Sequence, residues 1–231
     1  GGDTNGDGFA DLLVGAPGYS STSGWVGLFH GTATGIATGS SAATTRNGTS
    51  SGDRLGASVA TAGDLNGDGY ADVVVGSPGL STGKGRVMAF FGNSSGMNIG
   101  IGVPPWSKNG TANGDALGTS VGTAGDVNGD GISELFTGAP GQAGMGQVNV
   151  YHGSPPLPGT SPQWSVLSGQ ANGQLGRVVA SAGDVNGDGY ADVLVGAPGM
   201  DGSKGRAMLY MGSSSGLSAS AAWTTYGENA L

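Results

Sequence analysis

The chain has no cysteine among its 231 residues, which excludes a disulfide framework, thiolate-held metals and thiol catalysis. Charged residues make up only 10 %, and the eight Lys and Arg never form a run. The one basic pattern that recurs is Lys84-Gly-Arg86 and Lys204-Gly-Arg206, so the electrostatic footprint of a nucleic-acid partner is missing. No apolar run reaches membrane-spanning length, and membrane insertion is not expected. The opening at Gly1-Gly2 carries no leader pattern, and processing of an earlier segment is the expectation there.

Glycine, by contrast, is abundant: 51 residues, placed at recurring offsets rather than in low-complexity runs. The net charge is −8, and twelve of the sixteen acids lie in four short stretches, leaving only Asp53, Asp115, Asp201 and Glu228 outside. These stretches are Asp3-Thr-Asn-Gly-Asp-Gly-Phe-Ala-Asp11, Asp64-Leu-Asn-Gly-Asp-Gly-Tyr-Ala-Asp72, Asp126-Val-Asn-Gly-Asp-Gly-Ile-Ser-Glu134 and Asp184-Val-Asn-Gly-Asp-Gly-Tyr-Ala-Asp192. Oxygen side chains occupy positions 1, 3, 5 and 9 of each: Asp3, Asn5, Asp7, Asp11; Asp64, Asn66, Asp68, Asp72; Asp126, Asn128, Asp130, Glu134; Asp184, Asn186, Asp188, Asp192. Ca²⁺ takes six to eight oxygens at about 2.3–2.6 Å, and a short loop wraps it when alternate side chains point inward. Position 7 (Phe9, Tyr70, Ile132, Tyr190) is expected to lend its backbone carbonyl while its side chain turns away into the fold. Four Ca²⁺ ions, one per stretch, would bring the formal charge to neutrality.

An EF-hand loop begins the same way but needs an acid at position 12 and a following helix. Position 12 here is Val14, Val75, Thr137 or Val195, inside short apolar runs that close on Gly15-Ala-Pro17, Gly76-Ser-Pro78, Gly138-Ala-Pro140 and Gly196-Ala-Pro198. Each loop therefore leads into a strand.

The first aspartates stand 61, 62 and 58 residues apart, the mark of a repeat. One unit reads Leu55 to Gly63, the acidic loop, Ala71 to Pro78, Gly85 to Gly92, and a looser stretch around Trp106, which predicts four short strands. The run after the loop is continuously apolar, as in a strand covered on both faces, so small sheets must stack on one another. The expected fold is all-β, built of four-stranded antiparallel sheets as propeller-type blades, with boundaries at 1–52, 53–114, 115–172 and 173–231.

The Leu-Gly opening, the Asp-x-Asn-x-Asp-Gly-x-x-Asp loop and the Gly-Ala-Pro closure together resemble the FG-GAP repeat, which builds the N-terminal propeller of integrin α subunits and related bacterial surface proteins. The resemblance covers the whole chain and implies Ca²⁺ at the four loops, each joining the innermost strand of a blade to its second. Departures are Leu55, Leu117 and Leu175 where the family has Phe, Gly76-Ser-Pro78, and Glu134, which should loosen or reshape the third site. The family ring usually has seven blades, whereas four repeats are present here. The first starts at its loop without the innermost strand, giving fifteen strands, and the next innermost strand is expected to begin within 226–231. A free sheet edge invites pairing, so another chain or a second copy is expected to complete the partial propeller.

Other motifs read as scaffold. Gly92-Asn-Ser-Ser-Gly96 and Gly212-Ser-Ser-Ser-Gly216 match the hydrolase nucleophile elbow but sit at equivalent turns without a helix, His or acid to serve them. His30 and His152 share a strand-end position with Phe91 and Met211, a packing site. Trp106, Trp164 and Trp223 are expected to pack between blades, and Trp25, whose equivalents are Arg86, Gln147 and Arg206, is expected to be exposed. Asn47, Asn93 and Asn109 head Asn-x-Ser/Thr sequons in loops or near the outer rim.

The function expected is a calcium-stabilised, non-catalytic binding or adhesion module, extracellular or at the cell surface. Loops of this kind have the roughly 10⁻⁴–10⁻³ M calcium affinity of extracellular modules. A protein or carbohydrate ligand would meet the turns 18–24, 80–84 and 200–204. The alternatives are a structural surface protein assembled through open edges, and an accessory propeller of a larger enzyme.

Overall fold

A computed structural model describes residues 2–36, 41–97, 99–100 and 102–227. Among them are fifteen strands: β1 (Leu12–Ala16), β2 (Trp25–Phe29), β3 (Thr44–Asn47), β4 (Ser58–Gly63), β5 (Asp72–Ser77), β6 (Arg86–Phe90), β7 (Trp106–Asn109), β8 (Ser120–Gly125), β9 (Glu134–Ala139), β10 (Gln147–Tyr151), β11 (Trp164–Leu167), β12 (Val178–Gly183), β13 (Asp192–Ala197), β14 (Arg206–Tyr210) and β15 (Trp223–Tyr226). They form four antiparallel sheets, β1-β2-β3, β4-β5-β6-β7, β8-β9-β10-β11 and β12-β13-β14-β15, the first with three strands. The short segment after each Gly-Ala/Ser-Pro is a left-handed turn: Ser20 and Ser21 have φ of 46° and 55°.

The architecture is a partial β-propeller. Strands β4, β8 and β12 run side by side at the inner edge, and the sheets stack through three apolar clusters, each shared by two consecutive sheets. Alternation along β5 explains why that strand has no polar face: Val73 and Val75 join Val26 and Leu28 of the first sheet, while Val74 joins Leu135 of the third. Strands β5 and β9 are buried at all six residues, as a strand covered on both sides must be. The outer sheets keep one bare face, with Leu12 44 % and Leu194 38 % exposed. The innermost strand of a blade following β15 was expected to start within 226–231, and residues 228–231 of that stretch lie outside the described residues.

The tryptophans report the same stacking. Trp106 sits edge-on to Tyr151 at 5.1 Å, and its indole N–H donates to the Gly159 carbonyl at 3.2 Å; Trp164 does the same to Tyr210 at 4.8 Å and to the Ser218 carbonyl at 2.9 Å. Trp223, on the last sheet, is instead 51 % exposed, because no aromatic ring of a following blade meets it. Trp25 is half-buried rather than exposed: its ring lies over Gly27, where an added Cβ would come within 2.2 Å of it. His30 and His152 abut Gly96 and Gly216 in the turns of the next blade, and the Asn109 amide oxygen accepts from Arg86 Nε at 2.8 Å.

The Gly of each of the first three Gly-Ala/Ser-Pro closures marks where two blades touch backbone to backbone. A Cβ at Gly138 would lie 2.0 Å from the Gly176 carbonyl oxygen, and one at Gly76 2.1 Å from that of Gly118. At Gly196, on the bare last sheet, the nearest atom would be at 3.5 Å. Gly138→Ala should therefore destabilise by about 3 kcal/mol in denaturant unfolding with calcium present, and Gly196→Ala by under about 0.5 kcal/mol. Equal losses at the two sites would refute this account of the close approach.

Candidate metal centres

The second, third and fourth acidic loops each leave an inner strand through a bulge, at Thr61/Gly63, Thr123/Gly125 and Ser181/Gly183, which ends the ladder and swings the chain over the sheet edge. The position-1 carboxylate then gathers the loop amides. Asp64 Oδ1 accepts from Gly67 N at 2.7 Å and Asp68 N at 3.1 Å, and Oδ2 accepts from Gly69 N at 2.8 Å. Asn66 Oδ1 accepts from Asp68 N at 3.2 Å, Asn66 Nδ2 donates to Asp68 Oδ2 at 2.9 Å, and Asp68 Oδ1 accepts from Tyr70 N at 3.0 Å. Asp3, Asp126 and Asp184 organise the other loops with the same bonds. In the first and last loops these amides, led by Gly8 and Gly189, hold Asp3 and Asp184 below the ordinary carboxylate pKa.

Position 9 is buried in every loop: Asp11, Asp72, Glu134 and Asp192 are 0–2 % exposed. Asp72 clips two segments together, taking Leu65 N on Oδ2 at 2.8 Å and Gly92 N on Oδ1 at 2.9 Å. Asp11 does so with Thr4 N and Gly31 N, and Asp192 with Val185 N and Gly212 N. Glu134 differs. Its Oε2 accepts from Val127 N at 2.7 Å, but Oε1 is buried with no hydrogen-bond partner. The longer side chain instead brings a carboxylate oxygen within 4.8 Å of those of Asp126 and Asp130. Glu134 was expected to loosen or reshape the third site; its extra methylene draws the acids of that site together, the one such cluster among the described residues.

Burial is the chief reason that Asp72 is pushed up to about 7 and Glu134 to about 8; backbone amides oppose it, and the neighbouring loop aspartates add to it. The one ion pair among the described residues joins Arg206 to Asp201, so no loop carboxylate has a cationic side chain to offset it. A hard, oxygen-seeking cation fits this donor set, which offers carboxylates, an amide oxygen and a carbonyl in place of soft ligands.

Position 7 makes a contact that sequence reasoning did not specify. Those side chains lie on the preceding loop: Tyr70 on Gly6 and Tyr190 on Gly129 occupy the space a Cβ there would need, and Ile132 makes ordinary contact over Gly67, its nearest atom 3.5 Å from where a Cβ would sit. Phe9, in the first of the four loops, is 40 % exposed, and no atom among the described residues lies within 4 Å of where a Cβ on Gly187 of the fourth would sit. Backbone bonds run along the same seam. Asp3 O, Asp64 O and Asp126 O accept from Ala71 N, Ser133 N and Ala191 N at 2.9–3.0 Å, while Thr4 O, Leu65 O and Val127 O accept from Asn93 N, Ser154 N and Ser213 N at 2.9–3.1 Å. Glycine at position 4 of every loop was the available signal, since a loop glycine repeated in four copies marks a close approach.

Four repeated loops on a partial propeller define the class, and the family model for the FG-GAP repeat matches residues 1–35, 55–88, 117–151 and 175–208. The chain belongs to the FG-GAP repeat family and forms an integrin-like propeller module. It is 35 % identical to integrin alpha-6 of Gallus gallus over 139 residues, covering 58 % of this chain and 12 % of the relative. It is 34 % identical to integrin alpha-PS2 of Drosophila melanogaster over 170 residues (68 % and 11 %), and 36 % identical to integrin alpha-IIb of Homo sapiens over 162 residues (66 % and 15 %). The chain thus spans only a small part of the length of these relatives.

The raised Asp72 and Glu134 give a pH signature with a definite sign. Unfolded, both lose their protons near ordinary values of 3.8 and 4.5; folded and cation-free, they hold them to about 7 and about 8. The folded state then binds more protons between those limits, so stability falls as pH rises through that window. In chelator, the melting temperature should drop between about pH 5 and pH 8, and excess calcium should flatten the drop by taking the protons' place. A pH-independent melting temperature in chelator would contradict the burial of these two carboxyls.

Proposed function

We propose that this chain is a non-catalytic binding module of the integrin α-propeller type, extracellular or at the cell surface, stabilised by four calcium ions. The ions would be held by Asp3, Asn5, Asp7, Asp11 and the Phe9 carbonyl; by Asp64, Asn66, Asp68, Asp72 and the Tyr70 carbonyl; by Asp126, Asn128, Asp130, Glu134 and the Ile132 carbonyl; and by Asp184, Asn186, Asp188, Asp192 and the Tyr190 carbonyl. The observation that carries the reading is the hydrogen-bonded seam of consecutive loops, in which each candidate cation site shares its backbone with the next. An ion there strengthens a joint between blades, which is a structural role rather than a sensor's. No helix among the described residues is long and apolar enough to cross a membrane. Blade boundaries at 1–52, 53–114, 115–172 and 173–231 follow from assigning each loop to the sheet it enters.

A second reading, assembly through the end faces, is favoured by Trp223, Tyr226 and Leu194 on the last sheet, which are 51 %, 57 % and 38 % exposed, and by the uncovered Gly187. That face suits a further blade of the same repeat type, from the same polypeptide or another chain. Light scattering of this chain at micromolar concentration discriminates: a mass above the monomer supports assembly, and a stable monomer opposes it.

Calcium at ten times its dissociation constant adds about 1.4 kcal/mol per site, hence about 6 kcal/mol for four, comparable to the stability of a whole domain. Chelation should lower the melting temperature steeply, and calorimetric titration should count four ions. Asp68→Ala should remove one ion from that count. An unchanged melting curve in chelator would overturn the calcium reading.

A further inference from the structure

The four acidic loops share a donor set but not a state of readiness for an ion. In the first, second and fourth, both oxygens of the position-9 aspartate are already committed. Asp11 accepts from Thr4 N and Gly31 N, Asp72 from Leu65 N and Gly92 N, and Asp192 from Val185 N and Gly212 N, all at 2.8–2.9 Å. In the third, Glu134 is 0 % exposed; its Oε2 accepts from Val127 N at 2.7 Å, while Oε1 is buried with no hydrogen-bond partner. A buried carboxylate oxygen without a donor is costly to keep, and a hard cation is the ligand that would satisfy it.

Geometry points the same way. Two oxygens on opposite sides of one Ca²⁺ stand about 4.6–5.2 Å apart, twice the Ca–O distance. One carboxylate oxygen from each of Asp126, Asp130 and Glu134 lies within 4.8 Å of the other two, so the three already fit one coordination shell; no other loop among the described residues has gathered its acids in this way. The added methylene of Glu134 makes the difference, because Asp11, Asp72 and Asp192 fill the same position with a shorter arm. The third loop is also braced at position 3. Asn128 Nδ2 bonds Asp130 Oδ2 at 3.0 Å and lies 3.3 Å from His152 Nδ1, at a strand-end position held by Phe91 in the second repeat and Met211 in the fourth. A site gathered beforehand loses less of an ion's binding energy to rearrangement.

We propose that Glu134 makes the third loop the cation site of highest affinity, filled at calcium levels too low for the other three, so that the joint between the third and fourth sheets is fixed first. At that joint Asp126 O accepts from Ala191 N at 2.9 Å and Val127 O from Ser213 N at 3.0 Å, and Val127 N is itself bonded to Glu134. The first loop makes the equivalent bonds to Ala71 N and Asn93 N without a glutamate to hold it. The proposal rests on the reading of the loops as calcium sites and sets the order in which they fill.

The test is calorimetric titration of the calcium-stripped full chain with calcium chloride, joined to amide hydrogen exchange after the first equivalent. One ion should bind about tenfold more tightly than the other three. At one equivalent, exchange at Ala191 and Ser213 should slow while that at Ala71 and Asn93 stays as it was. Glu134→Asp installs the residue that the other repeats carry at this position, so the fold is kept, and all four ions should then bind with one affinity. Glu134→Gln should remove the tight ion and leave three, whereas Asp68→Ala should lose a weak ion and keep the tight one. Four equal affinities in the unaltered chain, a tight ion surviving in Glu134→Asp, or slowing that begins at Ala71 and Asn93 would overturn the order of filling and leave the calcium reading standing. If no calcium binds and the melting temperature ignores it, the calcium reading falls and the order falls with it.

Discussion

Close approach of backbone to backbone between neighbouring blades is the constraint on which the rest of this propeller depends. At the loop end, two carbonyls of each of the first three acidic loops accept amides from the following blade. At the other end, the Gly76 and Gly138 backbones lie against Gly118 and Gly176, and the amides of Leu55, Leu117 and Leu175 bond back to carbonyls of the preceding blade. Side chains at these points would hold the sheets apart and open the apolar clusters between them. The chain spends its glycine there, and accepts the entropy that glycine costs in the unfolded state.

That constraint also explains why the cation loops serve as joints. A loop held only by amide-to-carboxylate bonds keeps several like charges close together, with Asp72, Glu134 and Asp192 withdrawn from water. A divalent cation held as proposed would relieve this repulsion where the loop touches its neighbour, and its binding energy would be delivered between blades. The third loop shows the same demand differently: Glu134 reaches far enough to bring three acids together, and one of its oxygens is left unpartnered.

Much of this was legible in the chain before folding. Valine at position 12, the apolar run behind it and the Gly-Ala-Pro closure distinguished a strand corner from a helical sensor, and the spacing of the copies announced four sheets. What the residues alone misjudged were contacts made by the next repeat. That Tyr70, Ile132 and Tyr190 lie on the preceding loop was not legible, because their partners, glycines about sixty residues earlier, leave no apolar signal in the sequence. Trp25 was read as exposed because a ring covering a glycine in its own strand has no pattern to betray it. Trp223 shares its repeat position with the buried Trp106, and only the presence or absence of an adjoining sheet separates them.

By itself, the sequence determined the repeat, the oxygen-donor set of each loop and the strand that follows it, because ligand spacing and strand alternation are local properties of a short peptide. The stacking of consecutive sheets decided which face of each strand is covered and which loop carries a neighbour's tyrosine. Those relations join residues distant in the chain through a common inner edge, and come into being only when the sheets are packed.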